Sequence, residues 1–316
     1  MQDIIYKLPQ EFLHKLKQIY PNLYPQVAQS FINRKATTFR INYAKGDLIS
    51  LRRNLIQQRI KTRELEFPAG AFILKSPLRN LQDSDIYQKG EVYVQNLSSM
   101  IPVIILGPEN NEKILDLCAA PGAKTTQIIS LAPQAKVTAV DKIRTRYYKL
   151  LANLKTQGAA ERVEALVLDA IWVRKMFPEA FDRILADVPC SAEGRFFVSN
   201  PKSFQYWKQR KVKEMAHKQK KLMHSAFFAL RPGGELVYST CTFSPEENEE
   251  IIEWFIDKFK DKVELLPVKI PLPNVIDGLV RFQDKKFSSS LRLTKRIIPN
   301  EKMEGFFVAK LKKISM

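Results

Sequence analysis

The chain has 316 residues, of which 45% are hydrophobic and 27% are charged, a balance typical of a folded protein rather than a disordered one. Its 51 Lys and Arg residues against 33 Asp and Glu residues leave a formal charge of +18. Such an excess favours a polyanionic partner, nucleic acid before an anionic membrane surface. The longest apolar run has seven residues, at positions 100–106, and is far too short to span a bilayer.

The cysteines and histidines indicate neither a disulfide framework nor a metal site. Cys118, Cys190 and Cys241 are too few and too scattered for either, and the three histidines lack metal-ligand spacing. The N-terminal sequence mixes charged and apolar residues and has no small-residue cleavage site, so we expect no signal peptide. We therefore expect a cytoplasmic monomer that holds no metal and is not a membrane protein.

The first part of the chain predicts a small basic α+β region. Helical spacing covers two stretches within residues 11–32, and a strand-like run follows at Thr37–Tyr43. Between positions 34 and 63 the chain has nine basic residues and one acid, Asp47. An ordinary surface mixes the two signs. We therefore interpret this stretch as a nucleic-acid docking surface, with a domain boundary near residue 90.

The rest of the chain predicts an α/β fold. Helical stretches at Thr125–Leu131, Arg144–Gln157 and Lys208–Leu230 separate runs of β-rich apolar residues. These predicted strands are Lys113–Cys118, Lys136–Asp141, Val163–Asp169, Phe181–Val188 and Gly234–Cys241. Apolar strands alternating with helices indicate a doubly wound, mostly parallel sheet of the Rossmann-like kind. Gly305–Leu311 predicts a late antiparallel edge strand.

Reactive or charged residues stand where the predicted strands end. They are Asp116, Asp141, Asp169, Asp187 and Cys241. Ligands of doubly wound sheets bind at the carboxyl ends of the strands. One Asp at a strand end is usually a helix cap or a turn former, but successive acids along this edge favour a ligand site.

The turn after the first of these strands indicates the kind of ligand. It consists of Cys118, Ala119, Ala120, Pro121, Gly122, Ala123 and Lys124. Small residues before a helix let backbone amides approach a ligand, and the helix N-terminus favours a carboxylate. Neither a phosphate loop nor a dinucleotide glycine motif is present. Asp141, about 20 residues downstream, stands where an acid typically accepts hydrogen bonds from the ribose hydroxyls of a nucleotide. An adenosine with an amino-acid tail fits, and S-adenosylmethionine is that ligand.

Two cysteines are predicted to face the same edge of the sheet. Cys190 follows the fourth predicted strand, and Cys241 ends the fifth. One such cysteine would more often be an inert core residue, but two at one ligand-binding edge favour reactivity. Ser244, Pro245 and Glu247 predict a helix start with Ser244 as its cap. A helix N-terminus can increase the thiolate fraction of a nearby thiol.

Three segments, CAAPGAKT at 118–125, DVPCSAEG at 187–194 and YSTCTFSPEENE at 238–249, together resemble the Sun-family, or Fmu-type, RNA cytosine-5 methyltransferases. Segments 93–100 and 304–310 are similar to the family as well. The resemblance extends over residues 91–311 and reaches more weakly into the front region. It implies a Rossmann-like methyltransferase domain at 91–316, preceded by an RNA-docking domain at 1–90.

The resemblance also implies roles for single residues. The 118–124 turn would hold the methionine part of the cofactor, Asp141 its ribose and Asp169 its adenine, while Asp187 would lie beside both cofactor and target base. Arg146 and Asn153 follow the family's helix pattern after the ribose-binding acid.

The two cysteines have different implied roles. Cys241 resembles the nucleophile that adds to carbon 6 of cytosine and so activates carbon 5 for methylation. Cys190 resembles the second cysteine, which helps release the product. The cytosine must be unpaired or opened to be reached.

Several alternatives stay open. We expect the substrate to be ribosomal RNA, with transfer RNA as the alternative and a non-catalytic RNA-binding ribosome assembly factor as the second alternative. A DNA cytosine methyltransferase would leave the Thr-Cys segment unexplained. An adenine amino-methyltransferase would show Asn/Asp-Pro-Pro-aromatic where this chain has DVPC at 187–190.

A second basic segment is predicted to bind RNA. Positions 201–222 have eight Lys or Arg residues and one acid, Glu214, and we predict a helix that clamps RNA phosphates. Aromatic residues in or near this segment could stack on bases, although at helical spacing they are more often core residues. They are Phe196, Phe197, Tyr206 and Trp207.

Overall fold

The structure is a computed structural model that describes residue 5 and residues 7–314. The expectation that the chain has no signal peptide depends partly on residues outside this range. In the described part of the chain, no helix combines the length and the apolar character needed to cross a bilayer.

The front of the chain forms two helices and a small antiparallel sheet. The helices are α1 (Gln10–Ile19) and α2 (Tyr24–Gln29). The strands β1 (Thr38–Ile41), β2 (Thr62–Glu64), β3 (Ala71–Leu74) and β4 (Val92–Val94) pair in the order β2-β3-β1-β4. The helices α3 (Leu48–Gln57), α4 (Leu78–Gln82) and α5 (Asp85–Gln88) complete this region. Asp47 caps α3 by accepting hydrogen bonds from the backbone of Ile49 and Ser50.

The large sheet follows the predicted pattern. Its parallel strands are β5 (Lys113–Asp116), β6 (Lys136–Asp141), β7 (Val163–Val167), β8 (Phe181–Asp187) and β9 (Leu230–Thr240). They lie in the order β9-β8-β5-β6-β7, so the order reverses between β5 and β8. A doubly wound sheet binds its ligand at such a reversal. The predicted mostly parallel α/β fold is confirmed.

The antiparallel side of the sheet is wider than predicted. The predicted late strand is β15 (Phe306–Lys313), and it pairs antiparallel with β9. It is not the outermost strand, because β14 (Lys295–Ile297) and β11 (Val275–Asp277) continue the sheet beyond it, and β10 (Val263–Leu266) also pairs with it. A separate hairpin joins β12 (Arg281–Phe282) and β13 (Lys285–Lys286).

Helices cover the large sheet. They are α6 (Leu97–Leu106), α7 (Ala123–Leu131), α8 (Arg144–Thr156), α9 (Val173–Met176), α10 (Gln209–Ala229) and α11 (Glu249–Phe259). Because β5 to β9 are parallel, their carboxyl ends lie along one edge. The turn into α7 and the segments of both cysteines come directly after strands that end at this edge, so they lie beside it.

The front of the chain is joined to the large sheet through shared core. Phe12 of α1 packs against Phe196 and Trp207, with ring centroids 4.9 and 5.6 Å apart. The small sheet is completed by β4, which lies beyond residue 90. The division at residue 90 stays a proposal, and a boundary after β4 would keep the small sheet whole.

Candidate active site

A cavity of about 460 Å³ opens at the carboxyl ends of the parallel strands. Both Cys190 and Cys241 line it, together with Asp187 and Arg146. Six of the seven predicted turn residues also line it, namely Cys118, Ala119, Ala120, Pro121, Ala123 and Lys124. A volume of this size suits a small-molecule ligand. The structure thus brings most of the predicted site residues to one place.

The turn before α7 is shaped by packing against α8. Gly122 has a φ of +103°, and a Cβ atom there would come within 2.8 Å of Leu150. Only glycine meets both conditions without strain. Asn153, which follows the family's helix pattern, donates a hydrogen bond of 2.8 Å to the carbonyl of Pro121 and so holds this turn.

Asp116, at the end of β5, also holds the start of α7. Its carboxyl group is buried and accepts a hydrogen bond of 2.7 Å from Thr125 Oγ1. Burial raises the pKa of Asp116 to about 6, and the Thr125 hydrogen bond opposes this shift. Burial likewise raises the pKa of Cys118 above its ordinary value, which leaves this third thiol neutral and unsuited to act as a nucleophile.

Arg40, one of the nine basic residues predicted to dock nucleic acid, is instead a buried structural residue. Only 4% of it is exposed. Its guanidinium donates to Gln95 Oε1, to the carbonyl of Ala123 and to Thr126 Oγ1. Arg40 therefore ties the small sheet to the first turn of α7, and the prediction that it contacts nucleic acid is wrong because its donors are already used inside the protein.

Lys124 and Asp187 form an ion pair inside the cavity. Lys124 Nζ lies 2.7 Å from Asp187 Oδ2 and 2.7 Å from Ser99 Oγ. The other carboxylate oxygen of Asp187 accepts a hydrogen bond of 2.8 Å from Ser239 Oγ. A cation and an anion are thus fixed side by side between the turn and the cysteines.

The two cysteines are direct neighbours. Cys190 Sγ lies 3.4 Å from Cys241 Sγ, at hydrogen-bonding distance for thiols. This hydrogen bond, followed by burial, raises the pKa of Cys190 well above its ordinary value. Cys190 therefore keeps its proton and can donate it to the sulfur of Cys241. Such an arrangement suits a nucleophile and a helper thiol.

Two charged residues of the cavity were not predicted from the sequence. Arg195 and Glu304 line it and approach each other to 3.7 Å. Glu304, followed by Cys241, raises the pKa of Arg195, while burial raises the pKa of Glu304. Glu304 begins a segment that resembles the family, so it could have been singled out. Arg195 belongs to no predicted motif, and its position depends on how the loop after Cys190 folds back.

Asp141 ends β6, whereas Asp169 lies two residues after the end of β7, so the predicted strand end there is too late, and neither acid lines the cavity. Asp141 Oδ1 accepts a hydrogen bond from the backbone of Ile143, and Oδ2 lies 3.3 Å from an Arg146 nitrogen. Arg146 also donates to the carbonyl of Ala120 in the turn. Asp169 accepts from the backbone of Ile171. Their roles at the ribose and the adenine stay predictions.

Two further expectations differ from the structure. Ser244 does not cap a helix, because its hydroxyl donates to Glu193 and accepts from Lys15. Of the aromatic residues suggested for base stacking, Phe196 and Trp207 are buried in the core, whereas Tyr206 is 80% exposed. Within the described residues, no cluster of His, Cys, Asp or Glu side chains has the size to hold a metal ion.

The polar groups of the cavity fit an amino-acid-bearing adenosine cofactor. The N-terminus of α7 and Lys124 Nζ offer positive charge for a carboxylate, while Asp187 offers negative charge for an ammonium or sulfonium group. Ala119 and Ala120 keep side chains out of the space beside the backbone. A Rossmann-like sheet with this site defines the class of S-adenosylmethionine-dependent methyltransferases.

Comparison with known proteins identifies the family. Residues 103–312 match the family described as 16S rRNA methyltransferase RsmB/F. The chain is 35% identical over 279 residues to tRNA (cytosine(49)-C(5))-methyltransferase of Pyrococcus abyssi, covering 87% of this chain and 88% of that protein. The chain belongs to the RsmB/F family and is an RNA methyltransferase, so the resemblance found in the sequence is confirmed.

Other relatives are longer than this chain. Ribosomal RNA small subunit methyltransferase B of Pasteurella multocida is 31% identical over 97% of the chain, which spans 65% of that protein. Ribosomal RNA small subunit methyltransferase F of Salmonella agona is 38% identical over 72% of the chain, with 46% of that protein matched. The crystal structure of a methyltransferase homologue from Pyrococcus horikoshii superposes with a TM-score of 0.86 at 26% identity, covering 99% of this chain and 100% of that one.

Proposed function

We propose that this protein methylates carbon 5 of a cytosine in RNA, with Cys241 as the nucleophile. The observation that carries the proposal is the 3.4 Å contact between Cys190 Sγ and Cys241 Sγ, in a cavity that also contains the cofactor turn and the Lys124–Asp187 pair. A non-catalytic assembly factor would have no need for two thiols at this position.

The proposed chemistry starts at Cys241. Its thiolate adds to carbon 6 of the cytosine, which makes carbon 5 nucleophilic. Arg195, which lines the same cavity as the two thiols, stabilises the negative charge of the thiolate through its own positive charge. When bound, S-adenosylmethionine supplies an electrophilic methyl group on its sulfonium sulfur.

Asp187 acts before the methyl transfer, and Cys190 acts after it. Asp187 holds the ring nitrogen of the base, and the ammonium of Lys124 beside it supplies the proton that this nitrogen shares in the adduct. After methylation the proton on carbon 5 leaves and the bond from carbon 6 to sulfur breaks. Solvent takes up that proton, the electron pair of the broken bond returns to the Cys241 sulfur, and the neutral Cys190 thiol assists by donating a hydrogen bond to this departing sulfur.

The surface around α10 supports RNA as the partner. A groove of about 520 Å³ lies between α9, α10 and α11. Its lining contains cations and aromatic rings but no acid, namely Ile171, Trp172, Arg174, His217, Lys220, Lys221, His224, Trp254 and Lys258. Lys220 and Lys258 lie over the ring of Trp254 at 5.5 and 5.8 Å. Phosphates and bases of RNA fit such a lining.

Ribosomal RNA is our preferred substrate, because the matched family and two of the relatives named above are described as ribosomal RNA methyltransferases. Transfer RNA is the alternative, because another relative is described as a tRNA methyltransferase. We further propose a cytoplasmic monomer with the RNA-docking region in residues 1–90. Purified protein with labelled S-adenosylmethionine, ribosomal RNA and transfer RNA transcripts, followed by bisulfite sequencing, tests this proposal. We expect a single protected cytosine in small-subunit ribosomal RNA. Protection confined to transfer RNA would select the alternative, and no methylated cytosine in either RNA would overturn the proposal.

A further inference from the structure

Two buried glutamates that the proposed chemistry does not use join the loop of Cys190 to the loop of Cys241. Glu193 and Glu247 are 1% and 0% exposed. Between them lie two hydroxyl groups, those of Ser191 and Thr242. Ser191 directly follows Cys190, and Thr242 directly follows Cys241. The geometry of this cluster therefore fixes the backbone beside both sulfurs.

The four side chains form one continuous chain of oxygen contacts. Glu247 Oε2 is hydrogen-bonded to Ser191 Oγ, which lies 2.7 Å from Thr242 Oγ1, which in turn lies 2.7 Å from Glu193 Oε2. Each of the three contacts needs a hydrogen between its oxygens. The two hydroxyls supply two hydrogens, so the third must reside on one of the carboxyl groups.

The remaining hydrogen bonds identify which carboxyl group carries it. Glu193 accepts from four donors, Trp207 Nε1 and Ser244 Oγ on one oxygen and Thr242 Oγ1 and the backbone of Phe243 on the other. Such saturation by donors is typical of a carboxylate. Glu247 differs, because Oε1 accepts from the backbone of Ser191 and from Gln219, both at 2.9 Å, whereas Oε2 meets only the Ser191 hydroxyl among the described residues.

We propose that Glu247 is a neutral acid whose proton orders a one-way hydrogen-bond chain, from Glu247 through Ser191 and Thr242 to the carboxylate of Glu193, and that this chain sets the spacing of Cys190 and Cys241. That the spacing of the two sulfurs matters for methyl transfer rests on the proposed function. Glu247 is a positioning residue, since it acts on the sulfurs through their neighbours.

The charges around Glu247 favour its neutral form. Burial, followed by the charge of Glu193, raises the pKa of Glu247 to about 8. The nearby cations are engaged elsewhere, Lys15 with Glu246 and Arg296 with Glu249. Tyr238 donates its hydroxyl to the backbone carbonyl of Glu247, and the raised pKa values of Tyr238 and Cys190 keep both groups neutral. Above about pH 8, Glu247 and Glu193 would both be carboxylates. Each would take one hydroxyl hydrogen, so the Ser191–Thr242 contact would have no hydrogen left.

The consequence is a loss of activity at alkaline pH that does not come from a thiol. Glu247→Gln tests it, because the amide nitrogen can donate to Ser191 as the acid does but cannot ionise. We expect near-normal turnover at neutral pH and no loss above about pH 8. Glu247→Ala removes the donor, and turnover should fall about tenfold or more. The exposed Glu264, at the opposite edge of the sheet, provides the matched control Glu264→Gln, which should keep the wild-type pH profile.

Two measurements separate this inference from the proposed function, because neither needs RNA. Infrared difference spectra of wild type against Glu247→Gln should show a carboxylic acid C=O band at neutral pH that disappears at alkaline pH. The rate at which diamide joins Cys190 to Cys241 should be normal in Glu247→Gln and slower in Glu247→Ala. No acid band, or equal diamide rates in all three proteins, would overturn the proton chain even if methylation is observed.

Discussion

The ammonium of Lys124 lies 2.7 Å from the carboxylate of Asp187, so the 118–124 turn and the strand that leads to Cys190 are connected by an ion pair inside the cavity. Lys124 also contacts Ser99 and lies 5.7 Å from the ring centroid of Phe306. Its side chain is 11% exposed, inside the cavity that also contains both cysteines. Under the proposed function, this pair would link the binding of the methyl donor to the placing of the cytosine.

Lys124→Met is expected to weaken S-adenosylmethionine binding and to lower turnover, each by about tenfold or more. The reason is that Asp187 loses its partner in a partly dry site, at a cost of about 1–3 kcal/mol. Calorimetry with S-adenosylmethionine and a methyl-transfer assay measure the two effects. Lys124→Arg keeps the charge and should recover part of both. Equal affinity in Lys124→Met and wild type would contradict the role given to this residue.

Cys241→Ala is expected to abolish methyl transfer and to leave RNA affinity nearly unchanged, since the sulfur forms a bond to the base only during the reaction. Transfer of labelled methyl groups and a filter-binding assay measure activity and affinity. Turnover close to that of wild type would exclude Cys241 as the nucleophile.

Cys190→Ala is expected to allow attack on the base but to slow the release of the product. The measurable result is a covalent protein–RNA complex that survives a denaturing gel. The double variant with Cys241→Ala is the control and should give no such complex. If the complex instead forms with Cys241→Ala alone, the roles of the two cysteines are exchanged.

Charge reversal at Lys208, Lys211 and Lys218, on or beside α10, is expected to weaken RNA binding and to flatten its dependence on salt, by about one unit of slope for each lost phosphate contact. Titrations at several salt concentrations measure both quantities. A matched triple reversal at Lys113, Lys136 and Lys262, which are exposed near the opposite edge of the sheet, controls for net charge. Equal losses in the two triple variants would show that α10 is not a specific RNA contact.

The free energy of unfolding should fall as pH rises from about 5 to about 8. Glu247 has a pKa raised to about 8 and Asp116 one raised to about 6, so the folded protein holds protons that the unfolded chain has released in this range. Each such group lowers stability by up to about 1.4 kcal/mol per pH unit between its unfolded and folded pKa. Urea unfolding of wild type and Glu247→Gln at pH 5, 6.5 and 8 measures the difference, expected to be largest at pH 8. If the unfolding free energies of the two proteins differed by the same amount at all three pH values, Glu247 would not be a buried acid that loses its proton near pH 8.

The parallel sheet could be predicted because its strands are rich in apolar residues and have a polar residue at or just after their carboxyl ends, as β6 does at Asp141. Short antiparallel strands such as β11 and β14 have three residues each and no such pattern, so they could not be predicted. β14 forms by pairing with β15, and β11 forms by pairing with β14, and these long-range pairings leave no local pattern in the sequence.

The site was predictable where motifs coincide with strand ends, as at Cys190 and Cys241. It was not predictable where a side chain meets a distant partner. Ser244 has the local features of a helix cap, yet its hydroxyl is used by Glu193, 51 residues away in the chain. Arg40 looks like a surface cation, yet its partner Thr126 lies 86 residues away.

The placement of α1 against the far part of the chain has a consequence for how the protein folds. Tyr20 meets the buried guanidinium of Arg296, and 276 positions separate the two residues. The apolar face of α1 is covered through Phe12 by Phe196 and Trp207, and Tyr20 gains its Arg296 partner from still further along the chain, so these contacts are long-range and slow to form. During synthesis this apolar face is uncovered until its partners have been made, and transiently uncovered apolar surface is prone to aggregation.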